Sequence, residues 1–88
     1  MNKSSKPIRL SAHAKIRASL RGATEEEIIE TVKTSEWQTY ELNKFEYQKD
    51  FIFNQFWNNK FYKTKQLKPI FVEEEKEIVV VTVYVYYF

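Results

Sequence analysis

Eighty-eight residues with fifteen aromatic side chains and a net charge of +2 describe one small domain with a dense core, too short for a second. The absence of cysteine excludes disulfides and thiolate metal sites, and a single histidine cannot furnish a zinc set, so the expectation is a protein without metal or cofactor. No apolar stretch follows Met1 to Pro7, which predicts a flexible tail over 1–7, one domain over 8–88, and a cytoplasmic protein without secretory signal or membrane anchor.

Ser11 as N-cap and Gly22 just past the end bracket a first helix over residues 12–21. Ala12, Ile16 and Leu20 form its expected buried stripe, and His13, Arg17 and Arg21 lie about 100° round the helix from it. Thr24 followed by Glu27 reads as a capping box, with Glu25 to Glu27 in the first turn where the helix dipole favours acids. A second helix over 24–34 follows, with Ile28, Ile29 and Val32 on its buried face. Beyond Glu36 the chain turns to β-branched and aromatic residues. Strands are predicted over 37–42, 45–54, 61–72 and 78–87, with turns at Asn43-Lys44 and Asn58-Asn59 and an edge or bulge signal at Pro69. The acids of 73–77 read as a solvated hairpin turn. In the last strand, alternation places Val79, Val81, Val83 and Val85 on one face and Val80, Thr82, Tyr84 and Tyr86 on the other. The valine face suits packing under helices. The hydroxylated face suits a ligand, a protein interface or a half-exposed sheet surface. The predicted fold is α+β: two N-terminal helices packed on a curved antiparallel sheet of about four strands.

Charge is segregated along the chain. Residues 1–22 hold six Lys or Arg and no acid, 23–36 hold five Glu against Lys33, 37–69 hold six Lys against three acids, and 70–88 hold four Glu against Lys76. If the first helix and the middle strands share a face, that face is basic although the whole is nearly neutral. The alternative is ordinary solvated faces.

The stretch Ile8-Arg9-Leu10-Ser11-Ala12-His13-Ala14, then Arg17, Arg21-Gly22, the acidic start of the second helix and the terminal Val81-Thr82-Val83-Tyr84 strand, resembles a widespread bacterial family of small proteins of unknown function. That family is grouped with the RelE and BrnT type toxins. Lys49-Asp50-Phe51, the run Lys63 to Gln66, Pro69 to Glu74 and the ending Tyr84 to Phe88 resemble one subgroup, so the likeness spans 8–88. It implies a RelE-like architecture with a short first strand at 8–10. It also implies a toxin-antitoxin type protein that engages RNA, including ribosome-bound messenger RNA, with an antitoxin-like partner. The chain departs from RelE-type toxins in lacking a close match to their C-terminal catalytic signature.

Metal-independent cleavage of RNA through the ribose 2′-hydroxyl needs a base, a proton donor and positive charge on the phosphate. Histidine is the side-chain type that exchanges protons near neutrality, which makes His13 the candidate acid-base group, with Arg17 and Tyr86 completing a catalytic set. Arg21, Lys49, Lys63, Lys65 and Tyr84 are the candidate nucleic-acid contacts. The alternative for His13 is a structural role, bonding the backbone. A second class of function is a binding module without chemistry, in which Lys60, Lys63, Lys65 and Lys68, interleaved with Trp57, Phe61 and Tyr62, track phosphates while rings stack on bases. A protein partner on the basic face or an edge strand is the third reading.

Overall fold

The computed structural model describes residues 6–33 and 37–88. The capping chemistry read from the sequence organises the helical layer. Ser11 adopts an extended conformation and its hydroxyl accepts from Ala14 N at 3.0 Å, starting helix α1, Ala12–Arg21. Gly22 ends it at φ 82°, a left-handed conformation that a side chain resists. The Thr24–Glu27 box closes reciprocally, with Glu27 N donating to Thr24 Oγ1 at 3.1 Å and Thr24 N to Glu27 Oε1 at 3.0 Å. Helix α2, Glu25–Lys33, follows and buries Ile28, Thr31 and Val32. The expected last residue of this helix, Thr34, and residues 1–5 of the expected tail lie outside the described residues. Lys6 and Pro7 are tied down: Lys6 Nζ reaches Glu73 at 2.9 Å, and Pro7 O accepts from Ile78 N.

The sheet differs from the expected four antiparallel strands. It has six strands and is mixed: β1 (Ile8–Leu10), β2 (Gln38–Glu41), β3 (Lys44–Glu46), β4 (Lys49–Trp57), β5 (Lys60–Glu73) and β6 (Ile78–Tyr87). Strand accounts for 54% of the described residues and helix for 24%, so a large sheet, not a pair of helices on a small one, forms the body of the fold. The order is β1-β6-β5-β3-β2, with β4 pairing β5 beside β3. Two physical causes explain the difference. Ile8 to Leu10, the short first strand that the resemblance implies, pairs with Ile78 to Val80, and pairs parallel, which makes the sheet mixed; that long-range partner is invisible to local periodicity. The segment expected as one strand over 45–54 is broken at Tyr47-Gln48, between the pairs Glu46↔Ile70 and Lys49↔Leu67. Pro69 lies opposite that gap and has no N–H to donate to a neighbouring strand.

Positive-φ asparagines punctuate the sheet. Asn58 and Asn59, at φ 50° and 68°, form the two-residue turn between β4 and β5, and Asn43 at φ 64° turns β2 into β3. Asn54, at φ 48°, marks the bulge where β4 has one residue more than β5 between Ile52 and Gln55.

A second correction concerns α1. Its buried residues are Ala14 and Ala18, while Ile16 and Leu20 point outward with 60% and 66% of their surface exposed. The small alanines let the helix backbone lie close to β6, where Ser11 N bonds Val80 O at 2.9 Å. Backbone approach, more than side-chain hydropathy, sets this helix's rotation. A bulge at Val81 also shifts the faces of β6, since Val80 pairs with Phe71 and Thr82 with Ile70. Ile78, Val80 and Val83 therefore join Leu67 and Phe71 in the core under the helices, and Val79 belongs to the other face. Trp37 and Phe45 extend this core, with the Trp37 ring edge-on to Phe71 at 4.9 Å.

Candidate nucleic-acid interface

The parallel pairing of β1 with β6 stops at Val80, so the rest of β6 presents an edge that α1 covers. Ser11 Oγ donates to Val81 O at 3.4 Å, and Arg21 Nη1 donates to Val83 O at 2.7 Å. These two contacts make α1 run along β6 in the same direction as the strand. The Arg21 guanidinium then reaches round the edge to lie 5.3 Å from the centre of the Tyr84 ring on the outer face of the sheet. One turn earlier, Arg17 Nε donates to His13 Nε2 at 3.4 Å in an exposed contact. His13, Arg17 and Arg21 thus form a row beside β6, about 6 Å apart along the helix axis. Lys15 is exposed on the same helix. Neither arginine of the row has a carboxylate partner among the described residues.

Tyr86 does not join this row at its start. It lies two residues beyond Tyr84, past the C-terminal end of α1, while His13 lies two helical turns before Arg21. The structure brings together His13 with Arg17, and Arg21 with Tyr84, but not His13 with Tyr86. On the outer face the charge of the Tyr84 phenol, when ionised, raises the Tyr40 phenol above its ordinary range.

The lysines of the middle strands are largely neutralised by the acids that the linear charge pattern kept apart from them. Lys65 is buried on the helix side of the sheet, its Nζ 2.9 Å from Glu27 Oε1 and 2.9 Å from Gly22 O, and 5.4 Å from the centre of the Phe53 ring. Lys68 pairs with Glu46 at 3.2 Å, and that carboxylate raises the ammonium above its usual range. Lys49 faces Glu30 at 3.7 Å and borders an open groove of about 480 Å³ lined also by Tyr47, Gln48, Asp50 and Gln66. Within the groove Gln66 Nε2 donates to Asp50 at 2.8 Å. Lys63 is exposed, and its backbone N–H and that of Thr64 both donate to Phe88 O. Lys60 lies over the Tyr62 ring at 5.6 Å.

Tyr87, which the motifs and spacings of the sequence do not single out, ties these parts together. It donates its hydroxyl to Arg21 O at 2.6 Å, stacks on Trp57 at 5.1 Å, and contacts Tyr62 and Phe53. Burial raises its phenol above the ordinary tyrosine range. Its signal was present in the two-residue alternation, since Tyr87 continues the inward row of Val83 and Val85. Among the described residues no cluster of three His, Cys, Asp or Glu could hold a metal ion, and no helix is long and apolar enough to cross a membrane. No family model, curated protein or solved structure matches the chain.

Proposed function

We propose that this protein binds single-stranded RNA through Arg17 and Arg21 on α1 and the Tyr84 ring beside them. One observation carries the reading. Arg17 and Arg21 have no carboxylate partner among the described residues, whereas Lys49, Lys65 and Lys68 are each paired with a glutamate. A guanidinium row free of competing anions is suited to phosphate, and a tyrosine covered by one of those guanidiniums offers a stacking surface for a base. The geometry favours binding over cleavage, because the candidate acid-base group His13 and the candidate proton donor Tyr86 stand at opposite ends of α1.

The test is fluorescence anisotropy with a labelled single-stranded RNA over a series of salt concentrations. Arg17→Ala should weaken binding across sequences and reduce the salt slope by about 0.7, the share of one neutralised phosphate on a single strand. His13→Ala should change affinity little. Equal affinity and equal salt slope for wild type and Arg17→Ala would refute the interface. Incubation of end-labelled messenger RNA with and without translating ribosomes reads the chemistry separately. Discrete products from wild type and none from His13→Ala would make the protein a ribonuclease and overturn the non-catalytic reading.

A further inference from the structure

The outer face of the sheet is covered at one end and open at the other. At the covered end Lys68 pairs with Glu46, and Ile70 and Val79 are buried. At the open end, Phe53 and Trp57 turn inward to pack on Tyr87. Strand alternation then sends Ile52 outward, and beyond the Asn54 bulge Phe56 as well, with 90% and 70% of their surface exposed. Phe56 pairs across the strands with Phe61, their rings edge-on at 5.6 Å, and Tyr86 and Phe88 flank the inward Tyr87 on the same outer face. All three of these neighbours are exposed.

We propose that two copies of this chain associate through this patch, centred on Ile52 and Phe56. Area is the first argument. Taking roughly 150–250 Å² for a whole aromatic side chain and no more for Ile52, the five residues leave on the order of 500–750 Å² open, at the upper end of the ~300–600 Å² patch of a typical monomer or above it and approaching the ~800 Å² each partner buries in a standard interface. Charge is the second argument. Lys68 is paired with Glu46, and the two other charges that border the patch, Asp50 and Lys63, are opposite in sign. A surface this close to neutral does not attract phosphate. It can meet its own copy without like-charge repulsion, the condition an isologous two-fold interface imposes. The adjoining strand edge is the third. Among the described residues strand β4 pairs with β5 alone, and beyond Lys49 and Asp50 its free edge carries no charge and is blunted by the Asn54 bulge alone, so a second copy would shield it. Association here leaves the α1 row free, since the patch meets β6 at Tyr86 and Phe88, past the C-terminal end of α1.

Sedimentation equilibrium over a concentration series tests the proposal. Wild type should approach twice the 10.7 kDa chain mass. Ile52→Asp and Phe56→Asp should each raise the dimer dissociation constant at least about a hundredfold by burying an unpaired charge, with unchanged far-ultraviolet circular dichroism. Ile16→Asp, on the outward stripe of α1, should remain dimeric. A wild-type protein that stays at 10.7 kDa throughout the micromolar range overturns the proposal. So does a dimer that survives both β4 substitutions, or a monomer whose RNA affinity falls in Phe56→Asp, which would make the patch a base-stacking platform instead.

Discussion

Replacing Lys65 by methionine separates a structural lysine from an RNA-contacting one. The substitution keeps the hydrophobic stem and removes the ammonium that sits 2.9 Å from both Glu27 Oε1 and Gly22 O. Removing one partner of a buried pair costs about 3–5 kcal/mol, because the remaining charge is left uncompensated. Two features reduce that figure here. The Glu27 side chain keeps 24% of its surface exposed against 8% for Lys65, and it still accepts from Thr24 N. Water can therefore meet part of the orphaned carboxylate, which brings the expected loss to about 2–3 kcal/mol after this discount. For a domain of this size each kcal/mol shifts Tm by about 4–8 °C, so the melting temperature should fall by roughly 10–20 °C. Urea unfolding followed by tryptophan fluorescence measures the loss directly. Glu27→Gln and the double variant complete a cycle in which the second substitution should cost less in the presence of the first. At a temperature where both proteins are folded, RNA affinity should be unchanged. A stability loss below about 0.5 kcal/mol, the range of ordinary surface substitutions, would refute the reasoning and return Lys65 to the surface.

The remaining predictions concern the same junction and the helix above it. Gly22→Ala should destabilise by about 3 kcal/mol or more in urea, since a left-handed residue with a side chain costs ~1–2 kcal/mol and the new Cβ would stand 2.5 Å from Tyr87 Oη and 2.8 Å from the Trp57 ring; an unchanged urea midpoint would contradict the described packing. On α1, Ala14→Leu should cost about 1–3 kcal/mol by overpacking, while Ile16→Ser and Leu20→Ser should each stay within ~0.5 kcal/mol, an order that thermal melts would reverse if the hydropathy stripe faced the core. Tyr87 predicts an alkaline effect. Its folded pKa is raised, so its contribution is full below the ordinary tyrosine range and is lost as pH climbs through the raised value. Unfolding free energies of wild type and Tyr87→Phe should therefore converge as pH rises above that range, and parallel curves would remove Tyr87 from the linkage.

Much of the local structure was determined by the sequence alone. Ser11, Gly22 and the Thr24–Glu27 box specify where the helices begin and end, because caps are satisfied within a few residues of their own chain. Asn58-Asn59 likewise specifies its turn, and the chain order of two helices followed by strands was legible. What the sequence left open depended on partners distant in the chain. The parallel pairing of Ile8 to Leu10 with Ile78 to Val80, and the interruption of a strand opposite Pro69, bring together segments that no local pattern relates. The rotation of α1 followed from close approach of Ala14 and Ala18 to the sheet, against the pull of Ile16 and Leu20. The candidate site shows the same division. The i, i+4, i+8 spacing placed His13, Arg17 and Arg21 in one row, since helical geometry alone dictates it. Only the tertiary structure decided which lysines remain available to a ligand, because Lys49, Lys65 and Lys68 are neutralised by Glu30, Glu27 and Glu46, and charge pairing acts across space.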